Sequence, residues 1–394
     1  MKIVLKTGKE KSLLRKHPWV FSGAIAQMPK EVRPGDVVEV VSANGEFLGR
    51  GFVSPNAQLV VRILSFDKAE AIDKAFLKNR ISAAWAMRSN RWKPLTHNAV
   101  RILHGESDGV PGLIADRFAS VISIQILSAG FEAMRKELIE AFQEVFPECS
   151  LYERSDTPMR ALEGLEERKG PLTPDFRATS IEVMLDGVRW LVDVEKGQKT
   201  GCYLDQVDNW QSVGAICNGA DVLDTFCYNG GFTLHALNSG ANSVCAIDSS
   251  EEAIENVKRN VELNGFDLSR LEVQCADVFA ALRKFRDSRR TFDVIILDPP
   301  KFADSKGHVE RACRAYKDIN LLAFKLLRPG GYLATYSCSG SVMPELFQKV
   351  VADAALDSKR VVRMERRFMQ APDHPVSMNF PEGLYLKGIL CHVE

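Results

Sequence analysis

Apolar and polar positions change rhythm three times along this 394-residue chain. Up to about residue 68 the apolar residues come in short alternating runs broken by turn signals. In RPGDVVEVVSANGEFLGRGFVS a Pro-Gly turn precedes a Val-rich strand, and Asn44-Gly45 reads as the hairpin turn into the next; AQLVVRILSF is another strand. The pattern predicts a β-rich module over residues 1–70. From Ala71 to Met87 the spacing becomes helical, with Ile72, Ala75, Phe76, Ile81 and Ala84 three to four apart. RILHGESDGVPGLIADRFASVISIQILS then predicts two strands around a Gly/Asp/Pro-rich turn. FEAMRKELIEAFQEVF predicts an amphipathic helix, CSLYERSD a strand, and GLEERKGPLTPDFRATS a polar loop. Residues 71–180 therefore read as a central α+β domain.

IEVMLDGVRWLVDV is a hairpin pattern, with alternating apolar residues on either side of Asp186-Gly187. Beyond it, strand-like runs (ADVLDTF, SVCAID, LEVQCADV, FDVIILDPP, GYLATYSC) alternate with helical ones. Near-continuous apolar strands separated by helices indicate a parallel sheet covered on both faces. The expected fold class is α/β: a Rossmann-like domain over residues 181–394 behind a β-rich and an α+β domain.

Composition narrows the classes. No apolar run approaches the ~20 residues that span a bilayer, so no membrane role is expected, and the N-terminus lacks the apolar stretch of a signal peptide. Nine scattered cysteines without a CxxC pair argue against a disulfide framework or zinc site, and for a reducing cytoplasm. The net charge is zero, but residues 1–33 hold eight lysines and arginines against two glutamates. That segment is either a solvated face or a phosphate-contacting patch.

In a doubly wound sheet, ligands sit at the carboxyl ends of the strands. The first strand is followed by Asp224-Thr225-Phe226-Cys227-Tyr228-Asn229-Gly230-Gly231-Phe232, whose glycine pair allows close approach of backbone to a ligand. The second ends at Asp248, suited to a ribose diol; the third at Asp277-Val278, placed for an adenine amino group; the fourth at Asp298. One acid per strand end is the pattern of a nucleoside cofactor. The absence of GxGxxG disfavours a dinucleotide and favours S-adenosylmethionine.

Asp298-Pro299-Pro300-Lys301-Phe302 resembles the (Asp/Asn/Ser)-Pro-Pro motif of class I methyltransferases that act on bases. In the strand order 3-2-1-4-5 of that fold, strands four and five are neighbours, so Asp298 and Cys338, in YLATYSCSG, would face one crevice. Carbon 5 of a pyrimidine is a poor nucleophile. A thiolate adding at carbon 6 makes carbon 5 enamine-like, which gives a strand-end cysteine a use. Cys217, Cys245, Cys275 and Cys391 sit in or beside apolar runs and read as packing residues, and Cys227 is a rival nucleophile.

SCSG resembles the cysteine motif of RNA 5-methylcytosine methyltransferases. EKSLLRKHPWVFSGAI, GESDGVPGLIADRF, GQKTGCYLDQ, DPPKF, RAYKDIN, YSCSG and FPEGLYLKG are similar to the bacterial ribosomal large-subunit methyltransferase I family. The resemblance implies an N-terminal PUA domain, a central α+β domain and a class I methyltransferase domain making 5-methylcytosine in 23S rRNA. It implies Cys338 as nucleophile and Asp298 as motif acid. It places Asp224, Tyr228, Gly230, Asp248 and Asp277 in the cofactor pocket, with Lys199, Tyr203, Asp205 and Gln206 closing it. The implied partner is 23S rRNA or a large-subunit assembly intermediate, and a homodimer stays open. Where many RNA cytosine methyltransferases carry a second cysteine after the motif proline, this chain has Lys301.

Further candidates are His374, as a residue reaching the site from its loop or simply packing there, and Arg314, Tyr316 and Lys317, as RNA contacts or an ordinary solvated helix face. Trp19 and Phe21 are either base-stacking or core residues. Two rivals to cytosine-5 methylation remain: a base-nitrogen RNA methyltransferase without covalent catalysis, and a non-catalytic rRNA-binding assembly factor.

Overall fold

The computed structural model describes residues 1–303 and 306–394. The chain divides into two compact units. The first comprises Met1–Met184, Val192–Leu204 and Asp373–Gly383; the second comprises Leu185–Leu191, Asp205–Pro372 and Leu384–Glu394.

Both the N-terminal sheet and the central sheet lie in the first unit. Six strands form the N-terminal sheet, in the spatial order Trp19–Phe21, Leu59–Ser65, Phe47–Val53, Val37–Val41, Lys2–Leu5, Ile25–Gln27. Asn44-Gly45 joins its Val37–Val41 and Phe47–Val53 strands as an antiparallel hairpin. Ile3, Leu5, Val38, Val40, Val53 and Val61 form its core. The central sheet contains Ala99–His104, Leu113–Phe118, Val121–Ile126, Ser150–Ser155 and Arg168–Pro171. Its apolar residues pack with those of helices Lys74–Arg88 and Arg135–Val145.

Two expectations change here. The run expected as one strand from Leu113 is two, because the chain turns at Ala119-Ser120 with Ala119 at φ 50° and no glycine, proline, asparagine or aspartate in the turn. The loop expected over 164–180 contains the strand Arg168–Pro171, whose first two residues are exposed and basic, a composition that suits a sheet edge.

The chain crosses from one unit to the other within the expected hairpin, whose turn residues Asp186 and Gly187 both have positive φ. The second unit is a twisted α/β sheet. Its strands are β1 (Asp221–Thr225), β2 (Ser243–Asp248), β3 (Leu271–Cys275), β4 (Phe292–Leu297), β5 (Leu327–Ser337), β6 (Val362–Met369) and β7 (Lys387–Val393). Their order is β3-β2-β1-β4-β5-β7-β6, parallel from β3 to β5. β7 runs antiparallel to both β5 and β6. The helices are α1 (Val207–Gly214), α2 (Gly231–Asn238), α3 (Glu251–Leu263), α4 (Val278–Asp287), α5 (Val309–Leu326) and α6 (Pro344–Ser358). Ile295, Leu297, Leu333, Ile319, Phe324 and Phe347 belong to one buried core cluster. The strand order reverses between β1 and β4, which puts a crevice at the carboxyl ends of the strands.

Candidate active site

β1 ends in a buried acid. One carboxylate oxygen of Asp224 accepts from Thr233 N (3.0 Å) and Thr233 Oγ1 (2.7 Å). Its other oxygen, Oδ1, is buried with no hydrogen-bond partner among the described residues. Burial raises its carboxyl to about 7, against the pull of Thr233. The loop that follows is strained. Phe226 (φ 57°) and Tyr228 (φ 47°) enter the left-handed region without being glycine, and Gly230 follows at φ 89°. Such conformations persist where the surroundings over-determine them, and they cluster at ligand sites. Part of that determination is Asp248 at the end of β2, which accepts from Tyr228 N (3.0 Å) and Ser250 N (3.0 Å). A Cβ on Gly231 would lie 2.2 Å from the ring of Trp210, itself stacked on Trp190, so the first residue of α2 must be glycine.

Beyond β3, Asp277 is exposed and caps α4, accepting from Ala280 N at 2.8 Å. Val278 packs its side chain in the core, which leaves its backbone as its means of touching a ligand. Asp205 and Gln206 are buried in the second unit. Asp205 accepts from the Tyr385 hydroxyl at 2.6 Å, and Gln206 accepts from Asn209 Nδ2 at 2.6 Å. Lys199 and Tyr203 belong to the first unit, where the Lys199 ammonium lies 4.2 Å from the centre of the Tyr203 ring and the Tyr203 hydroxyl donates to Gln198.

The strands expected to carry Asp298 and Cys338, β4 and β5, are neighbours, with Leu297 opposite Thr335. Asp298 follows the first of these residues by one position and Cys338 follows the second by three. Asp298 and Cys338 are both half-buried. A hydroxyl network fixes the turn carrying the cysteine. Ser337 Oγ donates to the Tyr316 hydroxyl (2.8 Å), which lies 3.2 Å from Ser339 Oγ, and Ala303 N donates to Ser339 Oγ (3.3 Å). Ser339 thereby links the turn to the loop that follows Asp298-Pro299-Pro300.

The other cysteines differ from Cys338. Burial pushes the thiols of Cys149, Cys217, Cys245 and Cys391 up to about 12. Cys227, the rival, is fully buried, and burial together with Asp224 and Asp248 raises its thiol well above the usual value. The thiolate is the nucleophile, so Cys227 is silenced where it stands. Cys275, expected to pack, is exposed instead, because it is the last residue of the outer strand β3.

Several other assignments resolve. Tyr316 is fully buried in α5 and braces the cysteine turn, so its side chain does not present to RNA. Arg314 pairs with Glu310, and Lys317 with Asp357, on the solvated face of the same helix. His374 is buried in the first unit against Asp373 (2.9 Å) and the ring of His104. Trp19 packs among His17, Phe21 and Phe380 and donates its indole N–H to Glu106 (2.9 Å), whereas Phe21 is exposed. The residue that sequence reasoning missed is Lys387, the first residue of β7, whose amine donates to Ser339 O at 2.7 Å. A charge opening the otherwise apolar run KGILCHV was the available signal.

The chain's relatives agree with this architecture. A PUA-like domain family matches residues 3–66, and an S-adenosylmethionine-dependent methyltransferase family matches residues 176–379. Ribosomal RNA large subunit methyltransferase I of Cronobacter sakazakii is 46% identical over 393 residues, covering 100% of this chain and 99% of the relative. Its counterpart in Escherichia coli O9:H4 is 45% identical over 393 residues, with the same coverage. The chain belongs to the ribosomal RNA large subunit methyltransferase I family.

Among solved structures, a Streptococcus mutans protein described as a SAM-dependent methyltransferase superposes with a TM-score of 0.86 at 21% identity, covering 100% of both chains. Another, described as a methyltransferase complexed with SAH, superposes with a TM-score of 0.87 at 21% identity and the same coverage. These two likenesses establish the fold. S-adenosylmethionine is the cofactor of the family, and the strand-end residues fit it. Asp224 Oδ1 is a buried acceptor in want of a donor, Asp248 keeps a lone pair on each oxygen, and the loop between them holds Phe226, Tyr228 and Gly230 in the left-handed region. Among the described residues, no group of histidines, cysteines and acids could hold a metal ion, and no helix is long and apolar enough to cross a membrane.

Proposed function

We propose that this member of the family forms 5-methylcytosine in 23S rRNA through a covalent adduct on Cys338, acting in the cytoplasm on naked rRNA or a large-subunit assembly intermediate. Family membership supplies the coarser activity, S-adenosylmethionine-dependent methyl transfer to large-subunit ribosomal RNA. The modified atom and the covalent route rest on one observation. Cys338 is a half-buried thiol in a braced turn at the end of β5, one strand from Asp298, while its rival Cys227 is buried and silenced.

In this reading Asp224, Tyr228, Gly230, Asp248, Asp277 and the backbone at Val278 hold the cofactor, with Asp205 and Gln206 beside them. Bound S-adenosylmethionine supplies an electrophilic methyl group. The Cys338 thiolate adds to carbon 6 of the cytosine, and the electron pair displaced from the 5,6 double bond makes carbon 5 the nucleophile. Asp298 shares a proton with N3 at the base edge, which draws electrons from the ring and favours the adduct. Once carbon 5 is methylated, a base takes its proton, the C–H electron pair re-forms the 5,6 double bond, and the thiolate is expelled. Residues 1–70 form the RNA-binding module, and all eight of its early lysines and arginines are exposed. Residues 71–180 form the central domain and 181–394 the methyltransferase domain. Nothing in the comparisons supports a homodimer.

The test is mass-spectrometric mapping of 23S rRNA from a strain lacking the gene, complemented with the wild type or with Cys338→Ala. One cytosine should lose its 5-methyl group, and only the wild type should restore it. A lost methyl on a base nitrogen, restored equally by Cys338→Ala, would overturn the covalent route. Unaltered rRNA, together with no calorimetric binding of S-adenosylhomocysteine, would leave a non-catalytic assembly factor.

A further inference from the structure

Lys387 is a buried lysine, 7% exposed, in a strand whose next residues are apolar. It opens β7 opposite Ser337 of β5, and on its other side it pairs with Met369 of β6. Side chains alternate along a strand, so the lysine's face of the sheet is that of Ser337 and Met369, while the stacked Tyr336 and Phe368 rings lie on the other face, against Gly388. Among the described residues its amine makes a single hydrogen bond, to the carbonyl of Ser339, the residue after Cys338. An ammonium buried against one neutral acceptor is costly to the fold, and an apolar side chain of similar length would serve the fold as well. Stability therefore does not explain this lysine.

The adjacent cysteine does. Burial lowers the amine to about 8, and the charge that opposes this belongs to Cys338. The other titratable groups nearby do not supply a counter-charge. Tyr316 from α5 feels Cys338, and Tyr336 from β5 feels Asp298 at the end of β4, but burial raises both phenols and keeps them neutral. Met369, the last residue of β6, and Gln370 after it carry no charge. Gln370 accepts from Leu386 N just before the lysine.

We propose that Lys387 is the positioning residue that holds Cys338 as a thiolate: its neutral amine takes the thiol proton, and the resulting ammonium, anchored on the Ser339 carbonyl, stands beside the thiolate. The transfer balances, since the S–H bond breaks, an N–H bond forms and the sulfur keeps the electron pair. This inference rests on the reading of Cys338 as the nucleophile. It gives the lysine of FPEGLYLKG a job that neither Lys301 nor a second cysteine has to fill, and it concerns activation of the thiol rather than its release.

The test is the rate of iodoacetamide alkylation at Cys338 of the full-length protein, localised by peptide mass spectrometry, between pH 6 and 10. Two neutral variants are compared. Lys387→Met keeps the length and removes a buried charge, and Lys387→Gln keeps a donor for Ser339 without charge. Both should move the midpoint of the profile up by about one unit, so that labelling at neutral pH falls about tenfold, and both should converge with the wild type at the alkaline end. A folded Lys387→Met or Lys387→Gln whose profile superimposes on that of the wild type overturns the inference. Methylation by Cys338→Ala separates the two readings. If Cys338→Ala still methylates, the covalent route fails whatever the alkylation profiles do. If it does not, and the profiles superimpose, the role of Lys387 alone fails.

Discussion

Two loops at the same edge of the methyltransferase sheet each carry a cysteine, and they are built in opposite ways. The loop after β1 is shaped by its backbone. Phe226, Tyr228 and Gly230 hold positive φ, and the carboxylates of Asp224 and Asp248 accept backbone N–H groups that fix it. Its cysteine is buried and its thiol suppressed. The turn after β5 is shaped by side chains. Among its described residues, 337–340, none has positive φ; Tyr316, Ala303 and Lys387 brace it from outside through Ser337 and Ser339, and its cysteine is half-buried. The first arrangement suits a loop that must lie against a ligand over its length, the second a turn that must aim one atom.

The sharpest way to break this contrast is to exchange the roles of the cysteines. Cys338→Ala should lower methyl transfer on the order of a thousandfold or more, the scale expected when a nucleophile is removed. Cys227→Ala should leave turnover within a few-fold and cost about 1 kcal/mol of stability, as for an ordinary buried truncation. A rate assay on the two purified variants decides it. Equal losses in both would erase the distinction between the loops.

Asp224 gives the next largest effect, read through pH. Its folded carboxyl is raised to about 7 from an ordinary value near 3.8, so the folded chain keeps a proton that the unfolded chain has lost. Unfolded molecules thus bind fewer protons between these values, and stability must fall as pH rises from about 4 to about 7, by up to ~1.4 kcal/mol per unit. Asp224→Asn cannot ionise and should abolish that slope. Urea melts of cofactor-free wild type and variant at pH 5 and pH 7 should show the variant gaining on the wild type as pH rises. Parallel curves would mean that Asp224 is not held protonated.

The two loops also differ in how much of them could be read from sequence. Asp224, Gly230, Gly231 and Asp248 could be picked out locally, because one acid after each successive strand is a pattern that a short window shows. The sheet order was legible too, since apolar runs alternating with helices leave few topologies. The brace of the cysteine turn was not. Tyr316 lies 21 residues before Ser337 and Lys387 lies 48 residues after Ser339, and pairing of β7 with β5 brings the lysine in. A sequence window sees RAYKDIN as a solvated helix, and the tyrosine's inward face becomes visible only once α5 is packed on the sheet. Ala119 and the strand Arg168–Pro171 escaped for the converse reason. There tertiary contacts impose a turn on an alanine and a strand on charged residues, against local preference.

Gly231→Ala tests the backbone-built loop with a smaller expected effect. The added methyl meets Trp210 at 2.2 Å, and one overpacked position of this kind costs about 1–3 kcal/mol. Because the strain falls on the first turn of α2, the affinity for S-adenosylhomocysteine should weaken in calorimetry while the alkylation rate of Cys338 stays as it was. A variant that lost both together would mean that the two loops are one cooperative structure.

Tyr316→Phe tests the side-chain-built turn with the smallest effect. It removes one hydroxyl and leaves the ring, which packs between Phe302 and Phe347. Ser337 Oγ loses its acceptor, and Ser339 Oγ loses one of its two partners in the network. Ser339 keeps the N–H of Ala303, so the turn is loosened rather than released. One lost buried hydrogen bond corresponds to about 1 kcal/mol of stability. If the turn aims the reactive atom as proposed, the expected mark on catalysis is a few-fold drop in kcat with KM for S-adenosylmethionine unchanged. A rise in KM for S-adenosylmethionine with kcat intact would instead assign Tyr316 to the cofactor end of the sheet, and would remove the reason for treating the two loops as separately built.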